Sequence, residues 1–467
     1  MEQLGGLDAA FLSCETPTMH MHVCGLMVLE KPADGGEAYE SIRAVLEARL
    51  PGIAPMRHRL AAVPFNMGRP YWTDDAELHI DRHLGRVRLA PPADDRDLAD
   101  VVGKFASFPL RRDRPLWEML VVEGLPDDRV ALLVKMHHST IDGVTGANLM
   151  GDLFDLTPDA DRGPHHGAPT ATRSPNPAEL LGRALLDQLG EPFEILKLIP
   201  ATVGQIGAAV WRLVGPGNEA SGTTMPFTAP RTSFNGTVTG RRSVAFVDVP
   251  LAEVKAAKTA LGVTVNDVLS AVVGTALQQY LADRDELPEH SLIAAEPVSV
   301  HGQAEDMQGV TKVSVMFTSL ATDIVDPLER LRAIATSNTK AKELQSMVGA
   351  DTLLHWAEHF WLNGLTLGAR LYSRLHGADH HRVIHNLILS NVPGPPIPLY
   401  LAGARLVGIY PLGPVMDGAG LNVTILSQED RVGFGIVACP DLVPDVWRIA
   451  DLIPQALDRI SGGAGRA

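Results

Sequence analysis

Two apolar runs, Trp117 to Glu123 (WEMLVVE) and Val130 to Met136 (VALLVKM), flank the polar stretch GLPDDR, which is the pattern of a hairpin. The second run is apolar almost without a break, as a central strand buried on both faces must be. After it, VTGANLMGDLFDL from Val144 has helical spacing and no proline, so a strand gives way to a helix across residues 137–143. Further along, SVAFVDV from Ser243 and KVSVMF from Lys312 read as strands. Helices are expected over Leu251 to Ala257 and Asn266 to Asp283. HNLILSNV from His385 is another strand, and LNVTILS and VGFGIVA form a pair joined by the turn QEDR. Helices thus alternate with sheet in both halves, a mixed α/β (α+β) fold class.

At 467 residues the chain is longer than one hydrophobic core usually serves, so two packed units are expected, with a ligand cleft between them. Residues 157–178 and 215–230 are rich in Pro, Gly, Ser and Thr and mark the connection. This divides the chain into an N-terminal domain at 1–160, an interdomain connection at 161–232 and a C-terminal domain at 233–467. Within the connection, Leu180 to Val214 is strongly apolar with sparse charge. It suits either a helical pair packed on the core or an amphipathic element on a membrane surface, and packing is the simpler of the two. Arg183, Asp187, Glu191, Lys197, Pro192 and Pro200 interrupt it, which disfavours a spanning helix. The N-terminus has no basic region followed by an apolar core, so export is not expected and a cytoplasmic location is.

Composition narrows the function classes. Hydrophobic residues make up 45% and charged residues 20%, ordinary for a globular enzyme. A formal charge of -15 argues against nucleic acid as a partner, because phosphate binding relies on clustered Lys and Arg. Cys14, Cys24 and Cys439 are an odd number without CxxC spacing, so neither a disulfide framework nor a zinc ribbon is expected. The absence of GxGxxG and GxxxxGKS argues against nicotinamide chemistry and nucleotide hydrolysis.

The candidate chemistry sits at the strand-to-helix junction, His137-His138-Ser139-Thr140-Ile141-Asp142-Gly143. An imidazole with a pKa near 6.5 suits removal of a hydroxyl proton at cellular pH. Adjacent strand residues point to opposite faces, so one histidine should face the reaction cavity and the other should be structural. The same alternation makes the pair with Asp142 a poor metal shell, and no metal is expected. Asp142 is placed to orient a histidine or to anchor the loop on an arginine, and Gly143 would let backbone or substrate approach closely. An isolated HH pair is more often two satisfied core residues; glycine and a helix after it favour the catalytic reading. Ser139 beside His138 lacks the geometry of a nucleophile with its base, and no GxSxG elbow is present.

HHxxxDG after a buried strand resembles the signature of the CoA-dependent acyltransferase superfamily. Leu7 to Val23 (LDAAFLSCETPTMHMHV), Pro109 to Met119 (PLRRDRPLWEM), Thr264 to Ser270 (TVNDVLS) and Ser390 to Pro395 (SNVPGP) are similar to the bacterial wax ester synthase/diacylglycerol acyltransferase family, over nearly the whole chain. The resemblance implies two chloramphenicol-acetyltransferase-like domains, each a mixed sheet with flanking helices, around a central tunnel. It also implies an acyl-CoA-dependent O-acyltransferase that makes triacylglycerol, and wax esters from long-chain alcohols. His138 would be the general base, with His137, Asp142 and Gly143 in support. The Trp117 segment and Asn266-Asp267 would lie near the cavity. By residue type alone, Trp117 and Asp267 read as structural, and Asn266 as either a helix N-cap or an oxyanion contact.

Acyl-CoA would be a co-substrate, with no bound cofactor, and Arg111, Arg112 and Arg114 are candidates for its phosphates, although exposed arginines are more often simply solvated. Lipid substrates imply a protein peripheral to membrane or lipid droplets. The chain departs from the family at His301, where an arginine is usual, and at Val310, where Gly309 is usually followed by Asn. Two alternatives remain: another acceptor within the same superfamily, or a weakly catalytic acyl-CoA- or lipid-binding homologue.

Overall fold

The computed structural model describes residues 2–30, 37–64, 68–75, 78–141, 143–160, 163, 176, 178–182, 226–299, 313–348 and 362–464. Almost all of the apolar stretch Leu180 to Val214, together with Asp142, His301, Gly309 and Val310, lies outside the described residues.

Two six-stranded mixed sheets carry the fold. The first runs β12 (Tyr400–Leu401), β13 (Ala404–Leu412), β2 (His22–Leu29), β7 (Val130–His137), β6 (Trp117–Glu123), β5 (Leu84–Arg88). The second runs β10 (Val313–Ser319), β9 (Ile293–Ser299), β11 (Leu387–Pro393), β14 (Leu421–Gln428), β15 (Arg431–Ala438), β8 (Ser243–Pro250). A small sheet of β1 (Glu2–Gln3), β4 (Tyr71–Asp74) and β3 (His58–Ala61) stands apart. Both expected hairpins form, β6 with β7 and β14 with β15, each antiparallel.

β7 is buried along its whole length, as its unbroken apolar run requires. Its two faces meet different partners. Val130, Leu132, Val134 and Met136 share a core with Ile42 and Leu46 of α2 (Ala38–Arg49) and with Leu149 and Leu153. Leu149 and Leu153 belong to α4 (Gly143–Leu153), the helix expected after the histidine motif. On the other face, Ala131 and Leu133 pack with Leu98 and Val102 of α3 (Asp95–Ala106). That second core also takes in Phe246 and Val437 of the second sheet, so one apolar layer joins the two sheets.

The sheets come close together where β13 crosses β15. A Cβ on Gly433 would lie 2.5 Å from the Ile409 carbonyl oxygen, and one on Gly435 2.0 Å from that of Pro411. Only glycine permits this approach. The outer face of the second sheet is covered by α5 (Leu251–Leu261), α6 (Val265–Ala282), α7 (Pro327–Val348) and α9 (Val446–Ala464).

Candidate active site

His137 is the last residue of β7 and lies opposite His22 of β2. The chain is pinned just beyond it: His138 donates its N–H to the Met21 carbonyl at 2.8 Å. Thr140 donates both its N–H, at 2.9 Å, and its hydroxyl, at 2.7 Å, to the His137 carbonyl. The two histidine rings have different surroundings. His137 is 1% exposed, and its Nδ1 accepts the Ser139 N–H at 3.1 Å and lies 2.7 Å from the Ser139 hydroxyl. The ring proton is therefore on Nε2, which is 3.9 Å from Glu15 Oε2. Burial pushes the His137 pKa down to about 3, helped by the positive charge of Arg112 and by His138. His137 is thus a neutral, structural imidazole.

The His138 ring is half-buried and stacks on Phe11 of α1 (Gly6–Cys14), with centroids 4.2 Å apart and an 18° interplanar angle. A cavity of about 380 Å³ lies beside Met136, two residues before His138, between residues 52–56 and residues 148, 149 and 152 of α4. Trp117 is fully buried behind its wall. It is the cross-strand partner of Met136, donates Nε1–H to the Met56 carbonyl at 2.8 Å, and stacks on His83 at 4.1 Å.

The arginines weighed for phosphate are already engaged. Arg112 bridges Glu15 and the Leu12 carbonyl, Arg111 pairs with Asp113, and Arg114 donates to the Arg82 carbonyl. Arg112 therefore holds Glu15 against the edge of His137, a role the sequence did not suggest.

The histidines of MHMHV are also structural. Nε2 of His20 and of His22 meet the Ser107 and Ala106 carbonyls, each at 3.0 Å, at the end of α3. Buried Lys135 donates to the carbonyls of Phe105 and Phe108, both at 3.1 Å, and pairs with Glu118 at 2.9 Å. Three side chains thus occupy the carbonyls that a helix end leaves unpaired. Burial, together with the Lys135 charge, lowers His22 well below 6.5, and burial with the Arg242 charge lowers His20 to about 4.

Asn266 belongs to the other unit and is not a helix cap. Thr264 caps α6, and Asp267 closes the capping box and accepts Asn338 Nδ2 at 2.8 Å. Asn266, the second residue of the helix, donates Nδ2 to Glu296 Oε2 at 3.3 Å and accepts Asn391 Nδ2 on Oδ1 at 3.2 Å. Glu296 also accepts the Thr318 hydroxyl at 2.8 Å, and burial pushes its pKa up. This buried carboxylate was not anticipated; the single acidic residue in the apolar strand AAEPVS was the available signal.

Residues 4–269 match the family model of the wax ester synthase/diacylglycerol acyltransferase catalytic domain, and residues 311–461 that of the WS/DGAT C-terminal domain. The chain belongs to the wax ester synthase/diacylglycerol acyltransferase family. Among relatives of this WS/DGAT chain, a Mycobacterium tuberculosis (strain CDC 1551 / Oshkosh) protein carrying a diacylglycerol O-acyltransferase name is 39% identical over 98% of this chain and 90% of its own length. Another from strain ATCC 25618 / H37Rv is 34% identical over 95% of this chain and 92% of its own. The solved wax ester synthase/diacylglycerol acyltransferase from Marinobacter aquaeolei VT8 is 29% identical, with a TM-score of 0.69, covering 99% of this chain and all of that one. The first condensation domain of the calcium-dependent antibiotic synthetase shares the fold at 13% identity, with a TM-score of 0.55 over 99% of this chain and 96% of its own. The mixed α/β, two-unit fold expected from the sequence is the one observed.

Proposed function

We propose that this WS/DGAT chain transfers an acyl group from acyl-CoA to the hydroxyl of diacylglycerol, and of long-chain alcohols, with His138 as the general base. The observation that carries this reading is the division of labour within HHSTIDG. His137 is buried, neutral and occupied by Ser139, whereas His138 is held apart from it against Phe11.

In the reaction, the His138 imidazole takes the hydroxyl proton as the alcohol oxygen attacks the thioester carbonyl carbon. The carbon–sulfur bond breaks, and the proton passes to the departing thiolate, giving an ester and free CoA. A neutral His137 places no second positive charge beside the imidazolium that forms on His138. Asn266, its amide fixed between Glu296 and Asn391, is the proposed oxyanion contact, and Asp142 and Gly143 support the motif. Trp117 backs the cavity wall.

We retain the division at 1–160, 161–232 and 233–467 as the order along the chain, with the last part lending β12 and β13 to the first sheet and the lipid chains in a tunnel between the two units. Acyl-CoA is a diffusible co-substrate, and the catalytic role assigned to His138 involves no bound cofactor or metal. The protein works in the cytoplasm at a membrane or lipid-droplet surface.

The test is CoA release from palmitoyl-CoA with diacylglycerol, hexadecanol or no acceptor, with the ester identified by mass spectrometry. His138→Ala should lower turnover at least about 10²-fold and leave acyl-CoA binding nearly unchanged. Near-normal turnover would overturn the assignment.

A further inference from the structure

The helix α8 (Leu362–Arg374, LNGLTLGARLYSR) has no role in the chemistry above, yet its outer face is unusual. Leu367, Leu371 and Leu375, spaced four residues apart on one side of the helix and its continuation, are 67%, 51% and 62% exposed. They are three of only a few large apolar side chains so exposed among the described residues. Arg370 and Arg374 stand exposed beside them, and the helix contains no acidic residue although the whole chain carries -15. The inner face is anchored: Tyr372 pairs through its hydroxyl with His381 Nε2 at 2.6 Å, and the Ser373 hydroxyl meets that of Thr18 at 3.1 Å. α8 also packs against α1, the helix whose Phe11 stacks on His138.

We propose that α8 is the element that docks the protein on a phospholipid surface bearing anionic headgroups, with the leucines entering the acyl boundary and Arg370 and Arg374 meeting the phosphates. Apolar residues on one side of a helix, with arginines and no carboxylate at its border, match an interface that is apolar inside and negative at its rim. Docking here sets the surface one helix away from His138, which brings a water-insoluble acceptor close to the site. The purpose of this docking face rests on the lipid-alcohol reading; its binding test does not.

The experiment is flotation of the full chain with phosphatidylcholine vesicles, with and without phosphatidylglycerol. The comparison includes Leu367→Glu/Leu371→Glu and Arg370→Gln/Arg374→Gln, whose exposed positions leave the fold intact by circular dichroism. The leucine variant should lose at least about tenfold in vesicle partitioning, since each leucine withdrawn from lipid is worth about that factor. The arginine variant should lose about fivefold or more, on phosphatidylglycerol vesicles only. Turnover of short-chain, water-soluble substrates should be unchanged in both. Wild-type-like binding by both variants overturns the proposal. So does failure of the wild type to bind either vesicle, or a leucine variant that changes only the oligomeric size, which would assign the face to a second copy. Absence of turnover on every substrate with intact, leucine-dependent flotation would instead strike the acyltransferase reading.

Discussion

Acidification tests whether the imidazoles around the strand ends are held neutral by burial. His137 has a folded pKa of about 3, against about 6.5 in an unfolded chain. At about pH 5.5 the unfolded ring is roughly 90% protonated and the folded one hardly at all, so unfolding takes up nearly one proton at this residue. The sign follows directly. The native state disfavours the charged ring, so its stability is complete above about pH 6.5 and is lost as pH falls below that value, continuing down to the folded pKa. Integrated to pH 5.5, the loss is about 1.4 kcal/mol for His137, and His22, which burial and the Lys135 charge lower well below its ordinary value, acts in the same direction. His20 and His385, both lowered to about 4, act in the same direction. The measurement is proton uptake on urea unfolding in weakly buffered solution at about pH 5.5, for the wild type and for His20→Gln. The variant keeps a donor for the Ser107 carbonyl but cannot bind the proton, so its uptake should be smaller by about 0.9 proton. Equal uptake by the two proteins, or urea midpoints that do not fall between about pH 7.5 and 5.5, would refute the assignment of neutral buried histidines.

Lys135→Met should destabilise the first sheet by about 3 kcal/mol in urea unfolding, because the Phe105 and Phe108 carbonyls at the end of α3 and Glu118 lose their shared ammonium. Thr264→Ala should cost about 1 kcal/mol through the lost cap of α6, with kcat nearly unchanged. Glu296→Leu should lower kcat about tenfold with little change in KM for acyl-CoA, and Glu296→Gln, which can still accept from Asn266, should restore most of it.

The separation of His137 from His138 was legible in the sequence, because strand alternation alone puts neighbours on opposite faces, and the apolar run before them marks the strand. The hairpins were legible for the same reason: each is a local pattern of alternating or continuous apolarity around a polar turn. Asn266 was misjudged as a possible cap because asparagine caps well, although Thr264 and Asp267 at the spacing of a capping box were the better signal. What the sequence withheld was non-local. Nothing in LSCETPT says that Glu15 will meet Arg112, since that pair spans almost a hundred residues and is fixed by the docking of α1. Nothing in ARLVGIYPL says which sheet the strand will join, because either edge would accept a strand of that composition.

The placement of β13 has a consequence for how the protein comes into being. The neighbour of the strand that leads into the histidine pair, β2, borders β13, which comes from residues 404–412 of the chain. During synthesis, therefore, the histidine-bearing sheet emerges with β2 as an open, apolar edge, HVCGLMVL, and that edge stays unpaired until nearly the whole chain has left the ribosome. The two halves cannot mature one after the other as separate domains do; the second completes the first. A truncated chain ending before residue 404 would present a sticky border to its own kind and to chaperones, however intact its histidine motif. The burden of reaching the native state falls on keeping that border apart from other chains until its partner arrives.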